Sequence, residues 1–506
     1  MEHQHAFAHG VASGDPLTDS VIIWTRVSGL DPAADAELRW CVARDRLLTD
    51  VVAEGTATAV ADRDHTVHVD VTGLEPATTY HYGFELPGER SPVGRTRTLP
   101  SGTVDRARFA MCSCVKFNAG FFNAYDRIAD RAEAGDIDFL LHMGDYIYEA
   151  SNTPPKNQTP GADIGRPFDP LHECVTLDDY RTRYRQYHGD PSVQRVRAAV
   201  AIISTVDDHE FADGAWRGGA DNHDPAVYGS WEDRKAAAFR AREDWLPIRR
   251  PDPGDPSRVF RSVHLGDLAE LLLTDARSRR DQPVAGPEMN DPSRTALGTE
   301  QREWFLETLS ASTAAWKLWG NPSILSTTYQ PHVPATLVPA LQKLKLVSPE
   351  GDACDQDQWD GYPVERAAIL GHIADQAIAD LVVLSGDIHV GLAAEVHRDV
   401  AAFEDGSPAI AVELVTASVT SQNLDDKLGY PYGGSAADQE QFLATFPYAK
   451  FADFDGHGYV LIDLDRDRLQ GQWWFVDGVL ERCDGEFRAA AFDVPRGRSV
   501  LVPVVD

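Results

Sequence analysis

Four apolar runs in this 506-residue chain end in residues that bind metal ions or move protons. Arg108-Phe109-Ala110-Met111 leads into Cys112-Ser113-Cys114, and Asp138 to Met143 leads into Gly144-Asp145-Tyr146-Ile147-Tyr148-Glu149. Ala198 to Val206 leads into Asp207-Asp208-His209-Glu210, and Leu381 to Leu384 into Ser385-Gly386-Asp387-Ile388-His389. Singly, each has a plain structural reading. Gly-Asp after a strand is commonly a turn, Asp-x-His recurs by chance, and a lone histidine is more often a hydrogen-bonded core residue than a catalyst. Four in succession form a pattern, because the carboxyl ends of strands line the site in open α/β sheets.

The donor types narrow the chemistry. Structural zinc takes Cys and His in tetrahedral sets. Here carboxylates dominate, joined by one thiolate, one phenol and one or two imidazoles. Oxygen-rich ligation suits calcium, manganese, magnesium or ferric iron. Tyr148, three residues after Asp145, offers a phenolate suited to ferric iron, and a thiolate beside it is compatible with iron. The set predicts a mixed centre, with one iron-like ion and one or more oxygen-bound ions such as calcium.

These residues need a scaffold. From residue 101 onward, short apolar runs alternate with amphipathic helical segments, which predicts α/β layering. One helix is explicit: Leu177, Tyr180, Tyr184 and Tyr187 recur at helical spacing, with Gly189 as the stop. Residues 5–100 read as all-β, with Val21 to Trp24, Ala36 to Val42, Thr66 to Val71 and Tyr80 to Phe84 as strands between turn residues. Leu74 to Tyr82 looks like the turn and strand of a fibronectin-type sandwich. The predicted organisation is a small β-sandwich over 1–100 and a catalytic domain over 101–506. Turn-rich stretches at 151–172 and 328–362 are insertions of the kind that cover sites.

Composition excludes several classes. Lys and Arg number 47 against 79 Asp and Glu, a net charge of −32, so phosphate backbones and anionic lipid are repelled and no stable nucleic-acid complex is expected. No run reaches the length of a membrane span. The six cysteines show no CxxC pair, which argues against a disulfide framework or zinc ribbon. The first residues lack the basic start and apolar core of a signal peptide, giving a cytoplasmic expectation as written and an extracytoplasmic one if a signal has been removed. The His3, His5 and His9 group reads as an unstructured leader, and Asp453, Asp455 and His457 as a solvated turn. Trp473 and Trp474 alternate on a strand, so at most one faces the core. Nothing here sets the oligomeric state.

The chain resembles the PhoD-like alkaline phosphatase family (alkaline phosphatase D), nearly end to end. Phe7 to Arg26, Arg108 to Cys114, Leu141 to Glu149 (LHMGDYIYE), Asp207 to Phe211 (DDHEF), Trp316 to Ser326, Trp359 to Tyr362, Leu384 to His389 (LSGDIH), Val415 to Ser421 and Gly456 to Asp477 carry the likeness. The resemblance implies a metallophosphatase-type α/β/β/α core behind an all-β, Ig- or fibronectin-like domain. It implies a metal-dependent phosphomonoesterase using Fe(3+) and Ca(2+), with manganese, magnesium or zinc as substitutes, acting on small phosphate esters. Cys114, Tyr148 and His389 match the iron ligands and Asp145 the bridging carboxylate. Asp387 and Asp208 match ligands of the neighbouring ion, and His209 the proton donor to the leaving group. Asp207 and Glu210 fit supporting roles, and Arg217 and Arg277 are candidate phosphate-side cations whose plain reading is a salt bridge. Asp213-Gly214 departs from the Asn-Asp of many relatives. Cys112 stands where a small or aliphatic residue is usual, and the family's twin-arginine export signal is not seen.

The expected reaction follows. Two ions about 3.5–4 Å apart hold a hydroxide between them and clamp the phosphoryl oxygens for in-line attack. The same clamp serves a phosphodiesterase or phospholipase-D-like hydrolase, so that alternative stays open. A non-catalytic calcium-binding protein would show broken ligands, and here none is missing.

Overall fold

The computed structural model describes residues 5–152, 164–250, 252, 254–284, 286–328, 336 and 356–505. Two stacked sheets form its centre. In the first, of ten strands, Arg106–Cys112, Phe139–His142 and Ile202–Ser204 run parallel, and Gly458–Asp465, Arg468–Val476 and Glu486–Pro495 extend one side antiparallel. The second has seven strands, with Ala269–Leu273, Trp316–Gly320, Leu381–Ser385 and Ala411–Val415 parallel at its middle.

Strand alternation builds the layers. Phe109, Met111, Phe139 and Leu141 face Leu271, Leu273, Leu318, Val382 and Leu384 across the sheet interface. The alternate residues Ala110, Cys112 and Leu140 point the other way, into a core shared with the helices Asn123–Ala134, Leu177–His188, Pro191–Ala199 and Trp231–Trp245. The helices Thr299–Ala311 and Pro363–Asp375 cover the outer face of the second sheet. The result is the α/β/β/α order. Cys112 is thus a buried packing residue of the helix-side core.

The helix marked by the tyrosine stripe forms as its spacing requires. Thr176 and Asp179 make a capping box at its start, Gly189 follows its end, and Tyr180, Tyr184 and Tyr187 are buried.

The strands between Val11 and Arg97 form a sandwich. Val11–Gly14, Ser20–Arg26 and Thr66–Thr72 pack through Val21, Ile23, Val67 and Val71 against Leu38, Val42, Tyr80, Tyr82 and Phe84 of the facing sheet. The first of these strands also pairs in parallel with the core at Gly14 and Ile202, so the ten-stranded sheet runs unbroken from sandwich to core. His9 is buried against Trp245, 5.3 Å between ring centroids, which corrects the leader reading for that residue. His5 lies at the surface, and His3 falls outside the described residues. Trp473 is buried and Trp474 half-buried, as alternation demands.

Candidate active site

The strands that end in donor residues release them at one edge of the stacked sheets. Cys114, Asp145, Asp387 and His389 all adopt left-handed backbone, with φ of 61°, 53°, 69° and 62°. Such conformations cost L-residues roughly 1–2 kcal/mol each and concentrate where function fixes geometry. Two glycines allow the loops to close on one another. A Cβ at Gly144 would stand 2.5 Å from Cβ of Asp207, and one at Gly386 would stand 2.7 Å from Oγ of Ser113. The backbone N–H groups of Cys114 and Val115 donate to the carbonyls of Gly144 and Asp145 at 3.3 and 2.9 Å. The Cys114 carbonyl accepts from the N–H groups of Thr420 and Ser421 at 3.3 and 3.2 Å.

The donors meet in three overlapping groups: Cys114, Asp145 and His389; Asp145, Asp208 and His209; and Asp145, Asp207, Asp208 and Asp387. The donor atoms of each group lie within 4.8 Å of one another. Asp145 belongs to all three. Tyr148 joins the first, its hydroxyl donating to Asp145 Oδ2 at 2.8 Å and lying 3.2 Å from His389 Nε2. His389 donates its Nδ1 proton to the Gln422 carbonyl at 3.0 Å, which leaves Nε2 as the ligating nitrogen.

Electrostatics call for cations here. Burial, joined by neighbouring carboxylates, holds the Asp145 and Asp207 carboxyls well above the usual range, although Arg277 opposes the shift at Asp207. Burial also raises Asp387 against the opposing Arg277, raises the Cys114 thiol and the Tyr148 phenol, and depresses His389. Asp207 Oδ2 and Asp208 Oδ1 are buried with no hydrogen-bond partner. Crowded buried carboxylates with orphaned oxygens are costly unless positive charge neutralises them. The donor set fits metal ions, with sulfur, phenol and imidazole on one side of Asp145 and carboxylates on the other.

Around the donors sits a buried brace. The Glu210 carboxylate accepts the backbone N–H groups of Asp145, Tyr146 and Asp207 at 3.0, 2.6 and 2.7 Å, locking two loops together. Asp208 Oδ2 accepts from the Gly214 N–H at 2.7 Å. Arg277 is fully buried and bonds Asp207, Asp387 and Asp357, the last at 2.5 Å. It is a salt-bridged residue within the cluster. Arg217 is exposed and pairs with Asp281 at 2.5 Å. Asp213 is nearly buried and gives its N–H to Glu149.

The His209 ring lies against that of Tyr148, 4.0 Å between centroids and tilted by 33°, and donates its Nδ1 proton to Glu149 Oε2 at 2.7 Å. Burial opposes its protonated form, but Glu149, Asp145 and Asp208 outweigh burial and raise its pKa well above the ordinary value.

Sequence reasoning assigned no role to Glu149, Gln358, Gln422 or Lys116. Glu149 closes the GDYIYE motif, and that position was its only signal. Gln358 donates to Asp387 Oδ2 at 2.5 Å, so the described end of the 328–362 stretch does reach the site. The remainder of that stretch (329–335 and 337–355), and 153–163 of the other, lie outside the described residues. Lys116, two residues after Cys114, places Nζ 5.7 Å from the Tyr148 ring centroid and bonds Gln422 Oε1 at 3.3 Å.

A layered α/β/β/α core that gathers such a cluster at its strand ends is that of a metal-dependent phosphoester hydrolase. The family model of the PhoD-like phosphatases matches residues 109–473, and that of the PhoD-like phosphatase N-terminal domain matches residues 1–100. Alkaline phosphatase D of Bacillus subtilis (strain 168) is 32% identical over 481 residues, covering 90% of this chain and 75% of that protein. The solved structure of PhoD matches with a TM-score of 0.87 and 29% identity, over 100% of this chain and 93% of that one. The chain belongs to the PhoD-like phosphatase family and is a phosphoric ester hydrolase.

Proposed function

We propose that this chain hydrolyses small phosphate monoesters at the cluster centred on Asp145. Cys114, Tyr148, Asp145 and His389 would hold ferric iron, and Asp145, Asp208 and Asp387 a calcium ion, with manganese, magnesium or zinc as substitutes. The observation that carries this reading is the membership of Asp145 in every donor group, between soft and phenolic donors on one side and carboxylates on the other. When bound, such ions make a water nucleophilic near neutral pH and neutralise phosphoryl oxygens.

The chain's own residues do the rest. Glu149 holds the Nδ1 proton of His209 and, with Asp145 and Asp208, favours the imidazolium, so the second proton, on Nε2, is the one that passes to the leaving oxygen. General-acid assistance of this kind contributes about 10²–10⁴-fold. Glu210 keeps the Asp145 and Asp207 loops in register. Arg277 and Gln358 orient Asp387, and Arg277 offsets the charge of Asp207. With its guanidinium committed to three carboxylates, Arg277 supports the site and leaves the phosphate to other groups.

The test is paired turnover of p-nitrophenyl phosphate and bis(p-nitrophenyl) phosphate, with calcium and with a chelator. Faster, chelator-sensitive monoester cleavage is expected. Faster diester cleavage replaces the reading with a phosphodiesterase, and no cleavage by metal-loaded protein sinks it.

A further inference from the structure

The Asp453, Asp455 and His457 turn is not solvated as its polarity suggests. Asp455 is 2% exposed and His457 7%. The segment from Asn423 to Ser435 covers it. Asn423 Nδ2 donates to the Asp455 carbonyl at 2.6 Å, and the Ser435 N–H donates to Asp455 Oδ2 at 3.1 Å. His457 bonds Ser418 Oγ at 3.0 Å and Asp426 Oδ2 at 3.1 Å. Asp453 Oδ1 accepts the N–H groups of Asp455 and Gly456 at 3.1 and 2.7 Å, and Asp425 Oδ1 accepts that of Asp426 at 2.7 Å.

After these bonds, three buried oxygens have no partner: Asp455 Oδ1, Asn423 Oδ1 and Ser435 Oγ. Asn423 and Ser435 are both fully buried. The Asn423 nitrogen is already spent on the Asp455 carbonyl, so the unpartnered oxygen of the same amide is an acceptor only. Asp425 neighbours Asp426 and Asp455, Asp453 neighbours Asp455, and the basic side chains beside them are His457 and Lys427. Burial, with Asp426 and Asp455 alongside, pushes the Asp425 carboxyl up to about 7. Orphaned acceptors beside excess negative charge match the needs of a hard divalent cation. A water could donate to two of these oxygens but would bring no charge. Among the described residues, no three carboxylate or imidazole groups converge here as they do around Asp145. The donors are instead carboxylate, amide and hydroxyl oxygens, a mixture that calcium accepts in irregular geometry and magnesium does not.

We propose that Asp455 Oδ1, Asn423 Oδ1 and Ser435 Oγ, with Asp425 and waters completing the shell, bind a calcium ion distinct from the catalytic centre. The ion ties the 423–435 segment to the turn before Gly458–Asp465. That segment begins one residue after Gln422, whose carbonyl holds His389. The site goes beyond the proposed reaction and does not depend on it.

The test uses the full chain, saturated with calcium and desalted, with calcium and iron counted per chain by atomic emission. Asp455→Asn is expected to carry one calcium fewer than wild type with unchanged iron. Ser435→Ala is expected to weaken one calcium-binding phase at least tenfold, and magnesium alone to leave that phase unfilled. Because the count is a difference, the catalytic ions cancel, and failure to turn over any ester would leave it readable. Equal calcium in wild type and Asp455→Asn overturns the proposal. Loss of iron together with calcium also overturns it, since Asp455 would then act through the fold. If Asp455→Asn does not fold, Ser435→Ala decides alone, and an unchanged calcium titration there is fatal to the site.

Discussion

The Glu149 carboxylate takes the Nδ1 proton of His209 at 2.7 Å with one oxygen and the Asp213 N–H at 2.8 Å with the other. One fully buried side chain thereby anchors Nδ1 of the imidazole and the path of the loop that follows it. A carboxylate held this way positions its partner and stabilises the charge it carries.

Glu149→Gln tests that relationship. The amide keeps the size and one acceptor, so the fold should persist, as judged by circular dichroism, and metal content should stay at the wild-type level. Turnover of phenyl phosphate, whose leaving group needs a proton, should fall about 10²-fold, within the range of general-acid effects. Turnover of p-nitrophenyl phosphate, whose leaving group needs little help, should fall much less. An equal loss on both substrates would mean that Glu149 serves the fold and not the proton.

Cys114→Ala removes the sulfur donor next to Asp145 and His389. Cys114 lies in a turn held by backbone bonds on both sides, so the variant is expected to fold. Iron should drop below a tenth of an equivalent and activity should fall with it, measured by metal analysis beside turnover. A fully active variant with its iron in place would remove Cys114 from the ligand set.

Acid stability is set in part far from the site. Burial, reinforced by Arg26 and Arg185, lowers the His9 pKa to about 3. Burial with Arg197 lowers His188 well below its usual value. The unfolded chain protonates these imidazoles near pH 6.5, so below that pH it binds more protons than the folded protein. Stability is therefore whole above about pH 6.5 and declines as pH falls toward the folded His9 value of about 3, by at most about 1.4 kcal/mol per pH unit for each histidine. Replacing His9 with Gln should flatten the decline by one such increment, read from urea midpoints at pH 7.5 and 5.0. Identical slopes in the two proteins would show that folded His9 already carries its proton.

Much of the candidate site was legible in local sequence. Cys114, Asp145, Asp208, Asp387 and His389 each follow an apolar run, and a strand with a donor after its last residue is a short-range signal. The tyrosine stripe with its Gly189 stop, and the alternation that buries Trp473 and leaves Trp474 at the rim, are periodic features that need no partner to be read. Donor chemistry was legible for the same reason: residue type alone separates a carboxylate-rich, thiolate- and phenolate-bearing set from a zinc ribbon.

Pairing and burial were decided only by the tertiary structure. Glu149 and His209 lie 60 positions apart, and Arg277 and Asp387 110, and each pair meets because parallel strands deliver their loops to one edge. Nothing near Arg277 in sequence announces that its charge is spent on Asp207, Asp357 and Asp387. The Asp453–His457 turn, with two aspartates and a histidine around Phe454, reads as solvated, yet the 423–435 segment closes over it. Polarity along a chain reports what a segment prefers in isolation. Whether water reaches it depends on which distant segment the sheet order lays on top.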